Sequence, residues 1–225
     1  MNDITNNAAG IDGPKPVQSK FLRVLATIAS YVFHPVFMPT VMTFVLYKLS
    51  PVSFAGVEPK QFNQWLLSIG LNTLFFPLFS VALMKGLGFV QSFHLRTVKE
   101  RIMPLVATMI FYFWAAHVLN SLPNIPLVLR VLLTGSYLGI IAMFLINIFM
   151  KISMHTTAAG GMIGILIVLM ILSPVNMVVP LFVALAISGI IGTARMLLGA
   201  HKIWEVWLGY ILGVLVMLAA YIYLK

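Results

Sequence analysis

Seven apolar stretches, at 21–49, 65–90, 105–119, 126–150, 158–172, 177–198 and 203–224, run through the chain with only short polar breaks between them. A helix of about 20 apolar residues crosses the ~30 Å hydrocarbon core of a bilayer. In lipid every backbone N–H and C=O must be satisfied internally, which leaves helices or a closed barrel. The alternation of apolar and polar residues expected of barrel strands is missing. The stretches therefore predict an all-α fold, a polytopic transmembrane bundle of six to seven membrane helices. Composition agrees: 61% of residues are hydrophobic, 8% are charged, and mean hydropathy is +1.03. Residues 1–20 are polar and rich in Asn, Gly and Pro, and are expected to form a disordered tail. They do not resemble a signal peptide, because the first apolar stretch begins late and runs long. Residues 21–225 are expected to be one transmembrane domain. Within its first stretch, Pro35 and Pro39 predict a kink, or an interfacial helix joined to a membrane helix.

The chain has no cysteine, which excludes disulfides and thiolate chemistry. Its net charge of +9 falls mostly beside the apolar stretches. That pattern fits membrane lipids or an anionic substrate, and no nucleic-acid motif is present.

The polar breaks carry the chemistry. One contains Arg96, Lys99 and Arg101, the second contains Ser153, His155 and Thr156, and the third runs from Arg195 through His201 to Glu205. Two stretches separate the first break from the second, and two more separate the second from the third. All three must then emerge on the same face of the membrane. Polar groups at such a depth are costly and default to function. His201 and Glu205 are four apart, so on a helix they share a face. The carboxylate would accept the imidazole Nδ1–H and leave Nε2 free to act. His34 and His117 have no motif around them and are assigned to packing or interface. Gly209 and Gly213 form a small-xxx-small pair, expected to pack helices tightly within one chain.

At these three breaks the chain resembles the type 2 phosphatidic acid phosphatase family, which shares its site with the vanadium haloperoxidases. That family carries a basic motif ending in Arg-Pro, then Pro-Ser-Gly-His, then Ser-Arg, five residues, His, three residues and Asp. Here the third motif reads Ala194-Arg195, five residues, His201, three residues, Glu205. The second reads Ile152-Ser153-Met154-His155, and the first Lys99-Glu100-Arg101-Ile102-Met103-Pro104. Ala194 stands in place of a serine, Glu205 in place of an aspartate, and Ile152 and Met154 in place of Pro and Gly. Lys99 lies closer to Arg101 than the family's spacing.

The resemblance implies an integral-membrane lipid phosphate phosphatase acting on a phosphomonoester or diphosphate, with no metal and no cofactor. His201 would attack phosphorus, Glu205 would orient it, and His155 would protonate the leaving oxygen and then activate water. Arg195, Arg101, Lys99 and Ser153 would hold phosphate oxygens, with Arg96 and Thr156 as further contributors. The partners implied are a lipid phosphate and membrane lipids. Oligomeric state is left open.

Two alternatives stand beside this reading. The replacements at Ala194 and in the first motif favour a non-catalytic lipid-phosphate binder or transporter. A zinc hydrolase would use His155, His201 and Glu205 as ligands, although Arg195 beside them disfavours a cation. Location is open in the same way. With the motif residues set aside, Lys15, Lys20, Arg23, Lys85, Lys151 and Lys202 count on the motif side, and Lys48, Lys60 and Lys225 opposite. By the positive-inside rule the site is then cytoplasmic. The resemblance implies an extracytoplasmic site in a bacterial inner membrane, and we take that as the expectation.

Overall fold

The computed structural model describes residues 19–90, 98–173 and 176–225, with side chains from residue 101 onward in the second segment. The expected tail, apart from Ser19 and Lys20, and the candidate Arg96 lie outside the described residues. Of Lys99 only the backbone is described. The chain is an all-α integral membrane protein, and among the described residues there is no strand. Its seven candidate spans are Lys20–Leu49, Pro59–Gly86, Arg101–Ser121, Leu127–Phe149, Met154–Leu172, Val178–Leu197 and Ile203–Leu224.

Helix α1 (Lys20–Val32) starts at Ser19, whose side chain caps the Leu22 amide. It ends at a break that holds a 3-10 turn (Pro35–Phe37), after which α2 (Met38–Leu49) begins. The cause is proline chemistry. His34, ahead of Pro35, is extended at φ −64°, ψ 134°, because the proline ring disfavours helical backbone before it. The second span comprises α3 (Pro59–Gly70), a π turn (Leu71–Phe75) and α4 (Phe76–Gly86). Pro77 cannot donate to the Thr73 carbonyl one turn back. The Tyr112 hydroxyl donates to that carbonyl instead, at 3.3 Å. The remaining helices are α5 (Val98–Ser121), α6 (Leu127–Phe149), α7 (Met154–Leu172), α8 (Val178–Leu197) and α9 (Ile203–Leu224).

Two starts differ from the hydropathy reading. The third span was expected from 105, and its helix already includes Val98, the first residue described after Val90. The fifth was expected from 158 and begins at Met154, because the Ser153 side chain accepts the Thr156 amide as an N-cap. Polar residues in a first helical turn lower hydropathy without breaking the helix. Arg101, His155 and Thr156 therefore sit on helical first turns rather than in loops.

Helices α7 and α9 form the closest pair. A Cβ on Gly164 of α7 would lie 2.9 Å from the Met217 Cβ of α9, and one on Gly209 would lie 3.0 Å from the Ser153 carbonyl. A Cβ on Gly213 would run into the Thr157 carbonyl. Both members of the Gly209/Gly213 pair thus serve contacts within the chain, where small residues let backbones approach. Leu129, Leu133, Ile165 and Leu169 fill the interior. Phe182 and Ile222 are 74% and 75% exposed, as suits lipid-facing side chains.

The common-face expectation holds. The start of α7 is next to His34, while Ser173 at its far end meets Ser50, the C-cap of α2, with the hydroxyls 3.3 Å apart. The starts of α5, α7 and α9 and the end of α8 are joined at the other end of the bundle by hydrogen bonds among Arg101, Lys151, Ser153, Ala200 and Glu205.

Candidate functional site

Arg195 lies in the last turn of α8. The chain leaves that helix through Gly199, at φ +62°, a left-handed conformation glycine adopts without a Cβ clash. The turn delivers His201 just ahead of α9. His201 is thus on the approach to the helix rather than on it, and Glu205 is in the helix's first turn. The four-residue spacing still brings them together: His201 Nδ1 is 2.7 Å from Glu205 Oε2, with side chains only 2% and 8% exposed. The carboxylate only accepts, so Nδ1 carries the proton and the lone pair resides on Nε2. A carboxylate at a helix N-terminus also gains from the helix dipole.

Three cations surround this pair. Arg101, on the first turns of α5, is buried and donates to the Ile152 carbonyl at 3.3 Å. Lys151 donates to the Ala200 carbonyl at 2.8 Å. Arg195 donates to the Ser30 hydroxyl at 3.3 Å. Its Nε is buried and has no acceptor among the described residues. Burial, then the charges of Arg195, Lys151 and Arg101, push the His201 pKa down to about 3. The ring is therefore neutral at physiological pH, with a nucleophilic Nε2. Burial, reinforced by Arg101, also lowers the Lys151 pKa. Among the described residues the pair thus has three cationic side chains about it, Arg101 buried and Lys151 and Arg195 half-buried, a setting that suits an anion.

His155, in the first turn of α7, places Nε2 3.1 Å from the Ser30 carbonyl. A carbonyl only accepts, so Nε2 is the protonated nitrogen and Nδ1 is the one left to act. His201 is thus held through Nδ1, and His155 through Nε2. The remaining candidates have local work. The Ser153 hydroxyl caps α7 at 3.4 Å from the Thr156 amide, and its own amide donates to the Glu205 carbonyl at 3.4 Å. The Thr156 hydroxyl donates to the Ser153 carbonyl at 3.2 Å. Both side chains are fully buried.

The structure also brings in residues that sequence reasoning passed over. Lys151 was visible only as a charge preceding the second motif. Ser30 and His34 come from the first span, more than 100 residues away from His155. His34, assigned to packing or interface, stands edge-on to the His155 ring with centroids 5.3 Å apart. A histidine within an apolar stretch was the signal available. His117, by contrast, stacks on Phe113 at 5.5 Å, on a helix turn near Ser121 and away from this cluster. Among the described residues no three His, Asp or Glu side chains come together as metal ligands, so the zinc alternative has no ligand set there.

Searches of the chain against models of protein families, curated proteins and solved structures give no match.

Proposed function

We propose that the chain is an integral-membrane lipid phosphate phosphatase that works through a phosphohistidine, as the motif resemblance implies. The observation that carries this reading is the buried His201–Glu205 pair at 2.7 Å, with Nε2 free and Arg101, Lys151 and Arg195 gathered around it. A phosphate would occupy the cation cluster and accept from the unpartnered Arg195 Nε. His201 Nε2 attacks phosphorus, and the bond from phosphorus to the lipid oxygen breaks. His155 would take a second proton at Nδ1 from the arriving phosphate monoanion and pass it to that oxygen. Water then attacks the phosphohistidine and gives its proton back to His155, releasing inorganic phosphate and neutral His201. The guanidinium groups stabilise the charge that develops on the transferred group.

A lipid substrate is supported by the bundle interior. An apolar cavity of about 190 Å³ begins at His34, Met154 and Thr157 and runs among Met42, Leu132, Met143 and Met217. A chain held there would leave its phosphate at the polar end. The alternative of a non-catalytic binder is favoured by Ala194, a buried methyl where the resemblance places a hydroxyl.

We place the site on the extracytoplasmic face of a bacterial inner membrane. The break at 33–37 supports this: α1 arrives at the site through Ser30, so Lys20 and Arg23 lie at the end of α1 remote from it. Labelling of Ala200→Cys by an impermeant thiol reagent in intact cells supports that placement; protection opposes it.

The test is phosphate release from phosphatidic acid, phosphatidylglycerophosphate and polyprenyl diphosphate by purified protein in EDTA. Release inhibited by vanadate supports the phosphatase. No release from any lipid by folded protein supports the binder.

A further inference from the structure

Ser30 holds two groups of the site at once. Its hydroxyl accepts from Arg195 Nη1 at 3.3 Å, and its carbonyl accepts from His155 Nε2 at 3.1 Å. Both contacts follow from where Ser30 sits. Ala26, four residues earlier and so on the same face, is the buried residue of α1. Helix α1 packs against α8, whose last turn carries Arg195. The carbonyl is available because the helix breaks. The His34 amide, one turn on, donates to the Tyr31 carbonyl at 3.3 Å instead of to Ser30. A carbonyl released at a helix end takes an outside donor, and the His155 ring supplies it.

A guanidinium grips two phosphate oxygens in parallel through its Nε and Nη2 edge. Ser30 takes Nη1, which lies outside that edge. Arg195 Nε, on the edge, is buried and has no acceptor among the described residues. The hydroxyl therefore does not compete with a phosphate for this fork. It fixes the side chain and leaves the gripping edge open. This inference rests on the phosphatase reading and deepens it. We propose that Ser30 is a positioning residue for both groups: its hydroxyl aims the Arg195 fork at the phosphate, and its carbonyl keeps the His155 proton on Nε2, so that Nδ1 is the nitrogen that serves the leaving oxygen.

The test measures kcat and KM for whichever of phosphatidic acid and polyprenyl diphosphate the wild type turns over faster. The variants are Ser30→Ala, Ser30→Thr, Arg195→Ala, the double variant of Ser30→Ala with Arg195→Ala, and Ala26→Phe. Ser30→Ala is expected to raise KM about tenfold, the effect of one hydrogen bond to a charged group, with little change in kcat. Ser30→Thr keeps the hydroxyl and is expected to stay near wild type. In the Arg195→Ala background Ser30→Ala is expected to cost nothing further, because the hydroxyl acts through that guanidinium. Ala26→Phe forces α1 off α8 and is expected to lower kcat as well, by about 10²-fold, the lower end of what a placed general acid contributes. Equal losses from Ser30→Ala with and without Arg195 overturn the role of the hydroxyl. An Ala26→Phe with unchanged kcat overturns the role of the carbonyl. Both results leave the phosphatase standing. A folded wild type that releases phosphate from neither lipid overturns the phosphatase reading, and the role of Ser30 with it.

Discussion

The two ends of the bundle treat polar groups differently. At the end away from the site, polar side chains satisfy one another. Arg130 donates from Nε to Asn120 at 3.1 Å, and Asn120 donates to the Thr134 hydroxyl at 3.1 Å. Ser50 pairs with Ser53 at 2.8 Å and with Ser173. At the other end Arg101, Lys151 and Arg195 are drawn together with one carboxylate, and a buried Arg195 nitrogen stays unpaired. Both ends use short polar side chains to close helix ends. Among the described residues, only the site end gathers three cationic side chains around one histidine–carboxylate pair. On the proposed reading, that gathering of cations, rather than the presence of polar residues, marks the end where phosphate would bind.

Glu205→Gln is the sharpest way to break the comparison. It keeps the shape of the His201 partner and removes its charge, so phosphate release from a lipid phosphate is expected to fall by about 10³–10⁴-fold. Arg195→Ala removes charge from the phosphate pocket and is expected to cost about 10²–10³-fold. A loss in either variant below tenfold would mean that the cluster is structural.

A smaller effect is expected on stability against pH. The His201 pKa is lowered to about 3 in the fold, against about 6.5 when unfolded. Between those values the unfolded state binds the extra proton, so stability is full above about pH 6.5 and falls as pH drops toward 3. The thermal midpoint in detergent is expected to fall from pH 7 to pH 4, and His201→Gln to flatten that slope. An unchanged slope in the variant would contradict a buried neutral His201.

The smallest effect belongs to the opposite end. Arg130→Gln keeps hydrogen-bonding groups near Asn120 and lies away from the site. Phosphate release is expected to stay within about twofold of wild type, as for a surface substitution. A loss comparable to that of Arg195→Ala would dissolve the distinction between the two ends.

What the sequence disclosed follows from what is local in it. Span number and the common face came from hydropathy and counting, since lipid leaves few structural options. The His201–Glu205 pair came from a four-residue spacing, which survived although His201 precedes the helix. The starts of α5 and α7 were missed because first turns are polar at an interface. The Ser153 cap was equally hidden: the serine looked like a phosphate donor and its hydroxyl holds the helix start. Ser30 and His34 were illegible for another reason. Their contact with His155 depends on the bend at Pro35 folding the first span back against α7 and α8, a long-range event with no local periodicity.

The most direct measurement is to trap the intermediate. Wild type quenched in denaturant during turnover of a lipid labelled with ³²P at the phosphate is expected to carry label that is acid-labile, alkali-stable and confined to the peptide containing His201. His201→Ala is expected to carry none and to release no phosphate. Release that persists in His201→Ala, or a wild type that turns over without any labelled histidine, would contradict a phosphohistidine at His201.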